Sequence, residues 1–392
     1  MKSNQVVVAG HICLDITPTF NREDTRKINE LFVPGKLINV KNAVISTGGP
    51  VSNTGLALIK LGISTALTGK VGSDVFGKIV LDLLKERGIN SGMTVSEADT
   101  TSYTVILCPP GYDRIFLHNT GANDTFTSDD LDESVLKECS LFHFGYPPLM
   151  KRIYEDDGVE LEKIFKKAKS YGATTSLDMS LPDVNSASGR VNWDSVLKRV
   201  LPYVDIYIPS VEETMFMIRR DEYDRINNKQ GGKDILDGMS IDDIPRLTEI
   251  LLGYGPKIVV LKCGYKGYSI KTASREKLET LSGARPGDLD NWANREIHTE
   301  SYNVKDIASA SGSGDSSIAG FYTAFLRGYS IEDSIKIACV VGAQNIRVYD
   351  AVSGIKDWEE TIEQFNSDMP NNRLSSEALW KYNEKQALWY RA

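Results

Sequence analysis

The chain has 392 residues, of which 41% are hydrophobic and 25% are charged, a balance that excludes wholesale disorder and a collagen-like structure. Its 45 basic and 53 acidic residues leave a net charge of -8, which argues against non-specific binding to nucleic acid. No apolar run approaches the ~20 residues that cross a bilayer, so no membrane-spanning segment is expected. Five scattered cysteines without C-x-x-C spacing, and a start without the features of a secretion signal, predict a cytoplasmic protein with reduced thiols.

Short apolar runs and amphipathic stretches alternate along the chain. The runs predict buried strands at residues 6–9, 65–69, 141–145, 175–178, 205–208 and 258–261. Between them, apolar residues at helical spacing predict helices around 76–84 and 161–168, which stop at Gly88 and Gly172. Continuous apolar strands that alternate with helices indicate an α/β fold whose mostly parallel sheet is covered on both faces.

Two regions, 12–46 and 98–121, break this rhythm. They are richer in Thr, Val, Ile and turn residues, and predict antiparallel strands of a small lid beside the main sheet. Apolar alternation at 104–107 further predicts that the lid edge pairs with a second copy of the chain, which gives a homodimer.

The rest of the chain divides into a core and a tail. We predict an α/β core of residues 1–11, 47–97 and 122–370 and a C-terminal extension of residues 371–392. Within the core, the charged and polar segments 219–243 and 273–300 are expected to be solvated surface insertions rather than sites. The extension carries two tryptophans and is expected to pack on the domain surface or on a neighbouring subunit.

The most informative segment is the small-residue loop 309–314, which runs directly into a helix. A glycine-rich turn at a helix N-terminus presents unpaired N–H groups and the positive end of the macrodipole, a natural seat for phosphate. Asp315 in that place repels phosphate, but it fits a base that takes a proton from an attacking hydroxyl beside the oxyanion donors. The alternative is that Asp315 or Ser313 simply caps the helix.

A second glycine cluster and an early aspartate are weaker signals. Gly48 and Gly49 lead into a helix, and Asn53 in its first turn can donate and accept hydrogen bonds to a polyol. Asp15 follows the first strand, at the sheet edge where ligands of open α/β sheets bind. Each is equally typical of an ordinary turn.

Other common site patterns do not occur in the sequence. There is no G-x-x-x-x-G-K-[ST], no G-x-S-x-G, no H-E-x-x-H and no zinc-ligand spacing. The stretch Gly312-x-Gly314-x-x-Ser317 lacks the third glycine of a dinucleotide fingerprint and lies late in the chain, which disfavours a nicotinamide oxidoreductase.

Taken together, five segments resemble the ribokinase/PfkB family of carbohydrate kinases over roughly residues 4–355. Residues 312–315 with Ala319-Gly320-Phe321 resemble the family's G-A-G-D…A-G-F element, which is its most specific motif. The others, all in the family's order, are similar to its substrate-aspartate strand end (10–15), its N-terminal motif (48–62), its N-x-x-E element (209–213) and the glycine turn of its nucleotide pocket (259–267).

The resemblance implies a ribokinase-like three-layer α/β/α core with a mostly parallel sheet and a small β-strand lid, and ATP-dependent phosphorylation of a sugar hydroxyl. It casts Asp315 as the base and the N–H groups of Gly312, Ser313 and Gly314 as the anion hole, in agreement with the reading of that turn. It implies sugar contacts from Asp15, Gly48, Gly49 and Asn53, nucleotide contacts from Ser210, Lys262, Gly264, Gly267 and Asn345, and Mg²⁺ held through Glu213.

The chain departs from the family pattern at Ser210, where Asn is usual, and at Ser309, where many members have an Asp linked to monovalent-cation activation. The second departure argues against a potassium site. In the lid, residues 118–123 resemble the H-N-x-G-A-N stretch of some sugar kinases. We expect Asn119 and Asn123 to contact the sugar and His118 merely to pack, while Tyr146 after the strand at 141–145 is expected to be pocket wall or core.

The leading prediction is therefore a Mg²⁺- and ATP-dependent carbohydrate kinase whose partners are a small-molecule sugar and ATP. The alternatives are a nucleoside kinase on the same fold and a non-catalytic, sugar-sensing homologue. The polar lid argues against the first, since a nucleobase needs a second flat apolar pocket. The intact Asp315 argues against the second.

Overall fold

The structure, a computed structural model, describes residues 5–392 except 22, 25, 91, 113, 232, 233, 349 and 377, so residues 1–4 of the predicted core lie outside it. Its strands are β1 (Gln5–Gly10), β2 (Cys13–Pro18), β3 (Ala43–Gly48), β4 (Thr65–Gly72), β5 (Met93–Ser96), β6 (Tyr103–Leu107), β7 (Ile115–Asn119), β8 (Cys139–Gly145), β9 (Thr174–Asp178), β10 (Ile206–Tyr207), β11 (Ile258–Lys262), β12 (Tyr268–Thr272), β13 (Glu296–Thr299), β14 (Trp380–Asn383) and β15 (Leu388–Arg391).

The α-helices are α1 (Ile28–Leu31), α2 (Pro50–Lys60), α3 (Val75–Glu86), α4 (Glu133–Glu138), α5 (Lys151–Tyr154), α6 (Val159–Ser170), α7 (Trp193–Val200), α8 (Val211–Ile218), α9 (Arg220–Gln230), α10 (Ile244–Gly253), α11 (Arg275–Leu278), α12 (Leu289–Trp292), α13 (Ser313–Leu326), α14 (Ile331–Asn345) and α15 (Trp358–Phe365). The helices predicted around 76–84 and 161–168 are α3 and α6. Each ends just before a glycine with positive φ, Gly88 and Gly172, as expected.

In the part of the chain that the structure describes, eleven strands form one sheet in the order β14-β15-β13-β12-β11-β10-β9-β8-β1-β4-β5. From β11 to β5 in this order, neighbouring strands are parallel. Antiparallel pairing extends the sheet beyond β11 through β12, β13, β15 and β14. Every predicted buried run lies in the parallel part, although β10 is shorter than predicted. The mostly parallel sheet is confirmed.

Side chains along the buried strands alternate between two hydrophobic cores, one on each face of the sheet. Val6 and Val8 join one core, Val7 and Ala9 join the other, and none of them is more than 1% exposed. Helices α2, α13 and α14 cover the first core, and α6, α7 and α8 cover the second. Because strand side chains alternate with a period of two, burying all of them requires helices on both faces, which gives the predicted three-layer α/β/α core.

A small second sheet, with strand order β3-β2-β6-β7, forms the lid. The pairs β2–β3 and β6–β7 are antiparallel as expected, but β2 and β6 are parallel, so the expectation of a wholly antiparallel lid is wrong for the central pair. The chain passes through α2, β4, α3 and β5 between the two hairpins, and a crossover of that length permits parallel pairing. Strand β6 is interior, so residues 104–107 are not the free edge on which the predicted subunit contact was based.

The segments 219–243 and 273–300 are integral to the domain, which corrects the expectation of solvated excursions. The first forms α9, whose outer charges pair with each other, while its apolar side chains are buried. Those buried side chains are Tyr223, Ile226, Ile235, Leu236 and Met239. The second contributes α11, α12 and β13, and buries Trp292 completely. The charged and polar composition suggested solvated insertions, but the few apolar residues of each segment pack against the core.

The C-terminal extension continues the main sheet, because β15 pairs with β13 and β14 pairs with β15. The indole N–H of Trp380 donates to the Ile241 carbonyl at 2.9 Å, and that of Trp389 donates to Glu300 Oε1 at 3.2 Å. The tail therefore packs on its own domain. The five cysteines, all of which lie in the described part of the chain, form no disulfide with one another. Within the described ranges, no helix combines the length and apolar character needed to cross a membrane.

Candidate active site

Polar side chains converge at one edge of the main sheet, where parallel strands end and α13 begins. The side chains at or just after these strand ends are His11 (β1), Tyr146 (β8), Asp178 (β9) and Lys262 (β11). In an open α/β sheet this edge is the crevice in which ligands bind.

Asp315 lies in the first turn of α13 and is 1% exposed. Its carboxylate accepts hydrogen bonds from Asn53 Nδ2 at 2.9 Å and from the Tyr146 hydroxyl at 3.1 Å to each oxygen, and Thr54 Oγ1 lies 3.4 Å from Oδ1. Burial raises the pKa of Asp315 above its ordinary value, although Asn53, Lys262 and Tyr146 act to lower it. Among the described residues, the Asp315 carboxylate accepts from side chains and Ser313 Oγ donates to the Ala310 carbonyl at 2.9 Å, so neither caps the helix and the capping alternative is wrong.

The turn before α13 offers backbone donors. Among the described residues, the N–H groups of Gly312 and Gly314 donate to no protein acceptor, whereas the Ser313 N–H donates to the Ala310 carbonyl at 3.3 Å. Arg114, just before β7, reaches this turn from the lid and donates from Nη1 to Ser311 Oγ at 2.7 Å. The turn therefore presents two open N–H groups, with a cation beside it.

The two glycines of this turn differ in what a side chain would meet, which predicts unequal effects of alanine. Gly312 has a φ of 69°, and a Cβ there would overlap the Cβ of Ala351, whereas a Cβ on Gly314 would meet only Lys262, at 3.8 Å. We expect Gly312→Ala to lower the free energy of unfolding by about 2 kcal/mol or more, and Gly314→Ala to change it little. Thermal melting of the two variants checks this, and equal losses would contradict the assignment.

A buried lysine stands beside the same turn. Lys262 forms an ion pair with Asp178. Burial acts to lower the pKa of Lys262. The negative charges of Asp178 and Glu213 outweigh this effect and raise the pKa, so the amine stays protonated. Asp178 Oδ2 is buried and has no hydrogen-bond partner among the described residues, so it remains available as an acceptor.

Asp15 on β2 faces the same crevice. Cys13 Sγ donates to Asp15 Oδ1 at 3.3 Å, and a Cβ on Gly48 would overlap the carboxylate, so only glycine fits there. Burial raises the pKa of Asp15 to about 6, against hydrogen bonds from Cys13 and Thr104, and the negative charge of Asp315 adds to the rise. The structure thus brings Asp15 and Gly48 to the site that contains Asp315.

Gly49 and Asn53 lie at the start of α2, next to His11. Gly49 has a φ of 83°, and a Cβ there would lie 2.5 Å from His11 Nδ1. Both His11 Nδ1 and Asn53 Oδ1 are buried and have no hydrogen-bond partner among the described residues. Two unpartnered polar atoms beside the Asp315 carboxylate indicate a site built for a polar ligand.

The lid corrects the predictions for Asn119 and His118. The register pairs Asp15 with Thr104 and Thr104 with His118, which places these side chains on one face of the lid and turns Asn119 to the other. His118 contacts His11, with 3.3 Å between their Nε2 atoms. Asn119 is therefore not a sugar contact, and His118 faces the site after all.

Asn123 is fully buried and its amide is already used by the backbone. Its Oδ1 accepts from Ile12 N at 3.2 Å, and its Nδ2 donates to the carbonyls of Ile12 at 2.9 Å and Thr120 at 3.1 Å. The expected sugar contact is wrong, because Asn123 instead ties the chain between β1 and β2 to the loop after β7.

Ser210 and Glu213 bind each other at the start of α8. The Ser210 N–H donates to Glu213 Oε2 at 2.6 Å, and the Glu213 N–H donates to Ser210 Oγ at 3.1 Å, a capping box. Burial raises the pKa of Glu213, while Lys262 and Ser210 act to lower it. Ser210 also lies beside Lys262 across a β-bridge, so this carboxylate borders the buried ion pair.

Gly264 and Gly267 bound the turn after β11. A Cβ on Gly267 would overlap the Thr299 carbonyl, and one on Gly264 would lie 2.8 Å from Leu236 Cδ1. The Tyr265 hydroxyl donates to Asp237 Oδ1 at 2.7 Å. The segment 219–243 is therefore a wall beside the predicted nucleotide turn.

Asn345, predicted near the nucleotide, contacts the loop that precedes α13. It is fully buried, and its Nδ2 donates to the Ser311 carbonyl at 2.7 Å, while its Oδ1 has no hydrogen-bond partner among the described residues. This contact holds the residue that precedes Gly312.

Comparison with known proteins identifies the family to which the chain belongs. A family model described as pfkB family carbohydrate kinase matches residues 3–358. The chain belongs to the pfkB family of carbohydrate kinases. This kinase is 23% identical over 300 residues to an uncharacterized sugar kinase from Archaeoglobus fulgidus, which covers 76% of this chain and 98% of the relative. Fructokinase-1 from Oryza sativa subsp. japonica is 26% identical over 184 residues, 46% of this chain and 52% of the relative.

Among solved structures, that of Arabidopsis thaliana ribokinase complexed with ribose and ATP covers 94% of this kinase and 100% of that chain, with a TM-score of 0.66 at 18% identity. At that identity the likeness shows the fold, and it confirms the predicted ribokinase-like architecture. Together with the family match, it confirms that the protein is an enzyme, a carbohydrate kinase.

Sequence reasoning missed Asp178, Arg114 and His11 as side chains of the site, and it gave Tyr146 only as pocket wall or core. Tyr146 and Asp178 stand at the carboxyl ends of predicted parallel strands, so the rule that ligands bind at this edge would have found them. No sequence signal marked Arg114 or His11, because their roles depend on contacts with distant segments.

Proposed function

We propose that this kinase transfers the γ-phosphoryl group of ATP to a hydroxyl of a sugar, with Asp315 as the general base. The observation that carries the proposal is the placement of a buried, oriented carboxylate in the same helical turn as two open backbone N–H groups. Phosphoryl transfer asks a protein mainly for positioning and charge stabilisation, and this turn supplies both.

In the proposed reaction, Asp315 takes the proton of the attacking hydroxyl. The sugar oxygen forms a bond to the γ-phosphorus, the bond from that phosphorus to the β–γ bridging oxygen breaks, and ADP leaves with the electron pair. The N–H groups of Gly312 and Gly314 stabilise the oxygens of the group in transfer. The raised pKa of Asp315 makes it a stronger base near neutral pH than an exposed aspartate.

Lys262 is the proposed cation for the phosphate chain, since it stays charged beside the anion turn and is held by Asp178. Carboxylates next to it fit Mg²⁺, which prefers oxygen ligands and usually binds through one or two carboxylates, water and substrate phosphates. Glu213 and the unpartnered Asp178 Oδ2 would hold the ion, which offsets phosphate charge when bound.

The sugar would lie between Asp15, Asn53 and the Gly48–Gly49 turn. Asn53 donates to Asp315 through Nδ2 and keeps Oδ1 as a buried acceptor, and Asp15 offers a carboxylate. These acceptors suit the donor hydrogens of adjacent sugar hydroxyls. The adenine would rest near Gly264 and Gly267, beside the wall formed by 219–243.

A coupled ADP-release screen with Mg·ATP over pentoses, hexoses, ketoses, sugar acids and nucleosides tests the function. We expect sugar-dependent ADP release, with a phosphorylated sugar found by mass spectrometry. Release only with nucleosides would replace the proposal by a nucleoside kinase. If the protein binds a sugar but transfers no phosphoryl group to it from ATP or from other nucleoside triphosphates, the protein would instead be a sugar sensor.

We also propose a homodimer, formed through the lid. The free edges of the lid sheet are β3 and β7, and β3 carries exposed apolar side chains at Val44 and Ile45. An exposed edge strand with apolar side chains is a template for pairing with another chain. Light scattering at micromolar concentration is expected to give twice the 43.4 kDa chain mass, and a monomer mass would contradict the proposal.

A further inference from the structure

One face of β7 looks onto the sugar site. Because strand side chains alternate, Arg114, Phe116 and His118 lie on the same face. His118 is paired in register with Thr104, and Thr104 with Asp15, so this face is also that of the proposed sugar carboxylate.

Both ends of this row touch the core. Arg114 Nη1 donates to Ser311 Oγ at 2.7 Å, next to the anion turn. His118 Nε2 lies 3.3 Å from His11 Nε2, and His118 Nδ1 lies 2.9 Å from Thr104 Oγ1. The strand is therefore held at one end near the phosphate position and at the other beside the sugar site.

Phe116 lies between these two contacts and has no such anchor. Its side chain is 52% exposed, although Ile106, its register partner on β6, is only 7% exposed. The Arg114 guanidinium carbon lies 5.4 Å from the centre of the Phe116 ring, which keeps the ring in line with the row. An aromatic ring is thus exposed on the face that closes over the crevice.

We propose that Phe116 is a specificity-determining platform, which covers the apolar C–H face of the sugar while Asp15 and Asn53 bind its hydroxyls. This inference rests on the proposed function. A sugar ring has polar edges and an apolar face, and removing that face and an aromatic ring from water together is favourable. Substrates with a continuous C–H face are preferred over open-chain polyols of the same size.

The test compares Phe116→Ala with Leu117→Ala, a matched control whose side chain is 54% exposed on the opposite face of the same strand. For the sugar with the highest kcat/KM in the screen, Phe116→Ala is expected to raise the sugar KM about tenfold, and Phe116→Trp to restore it. The KM for ATP and the melting temperature are expected to stay unchanged in all three variants, as is the sugar KM of Leu117→Ala.

Equal sugar KM values in Phe116→Ala and Leu117→Ala would overturn the platform. A changed mass in light scattering with an unchanged sugar KM would overturn it too, because the ring would then serve a subunit contact. If the wild-type protein releases no ADP with any sugar, the proposed function itself fails and the platform falls with it. That result is separable, because it is seen before any variant is made.

Discussion

Replacing Asp315 by asparagine is expected to lower kcat by at least about 10³ while sugar binding stays near the wild-type value. Asparagine keeps the size and the polar contacts with Tyr146 and Asn53, but it cannot accept the hydroxyl proton. The kcat is measured by coupled ADP release, and sugar affinity by calorimetry without nucleotide. Because the substitution removes an interaction made only in the transition state, kcat and kcat/KM should fall by the same factor.

The pH dependence of kcat distinguishes the loss of a general base from a non-specific loss of activity. Burial raises the pKa of Asp315, so wild-type kcat is expected to fall as the pH drops through that pKa, since only the ionised carboxylate accepts a proton. Asp315→Asn should lack this acid limb. Asp129→Asn, which changes an exposed aspartate outside the proposed site, is the control and should leave turnover unchanged. Turnover of Asp315→Asn near the wild-type rate would refute the assigned base.

Replacing Lys262 by methionine is expected to lower kcat by roughly 10²–10³, because the developing charge on the phosphoryl oxygens loses its buried cation. Lys262 is 9% exposed and stays protonated through Asp178 and Glu213. The sugar affinity should change little, whereas the KM for ATP should rise. Steady-state kinetics with both substrates varied measures each effect.

Removing one partner of a buried ion pair also costs stability, which a second variant separates from catalysis. Lys262→Met leaves Asp178 without its cation and is expected to lower the free energy of unfolding by about 3 kcal/mol. Combining it with Asp178→Asn removes the uncompensated charge and should recover most of that loss. Turnover should stay low in the double variant. Recovery of turnover together with stability would show that Lys262 has only a structural role.

The turn that we propose as catalytic was predictable because its signal is local. Small residues before a helix, with Asp315 in its first turn, imply open N–H groups and a carboxylate from chain geometry alone. The structure adds what holds that carboxylate, since Asn53 and Tyr146 reach it from α2 and from the end of β8. Those contacts join residues 262 and 169 positions apart, a separation that no window of sequence spans.

The lid shows where local reasoning stops. Asn119 and His118 are adjacent, and a strand sends adjacent side chains to opposite faces, so the choice between them depends wholly on register. The register is set by pairing with β6, and the orientation of β6 is set by the crossover through the core. The parallel β2–β6 pair and the inward-facing His118 were therefore invisible in the sequence pattern.

The α/β class, the mostly parallel sheet, the small-residue turn before α13 and the family could all be predicted from sequence, because periodicity and the positions of glycines are encoded in neighbouring residues. The tertiary structure was needed to show that Asn123 ties two backbone segments together, that Lys262 pairs with Asp178, and that 219–243 packs beside the turn at 264–267. Each of these depends on which distant segments meet, and that is fixed by packing of the whole domain rather than by local preference.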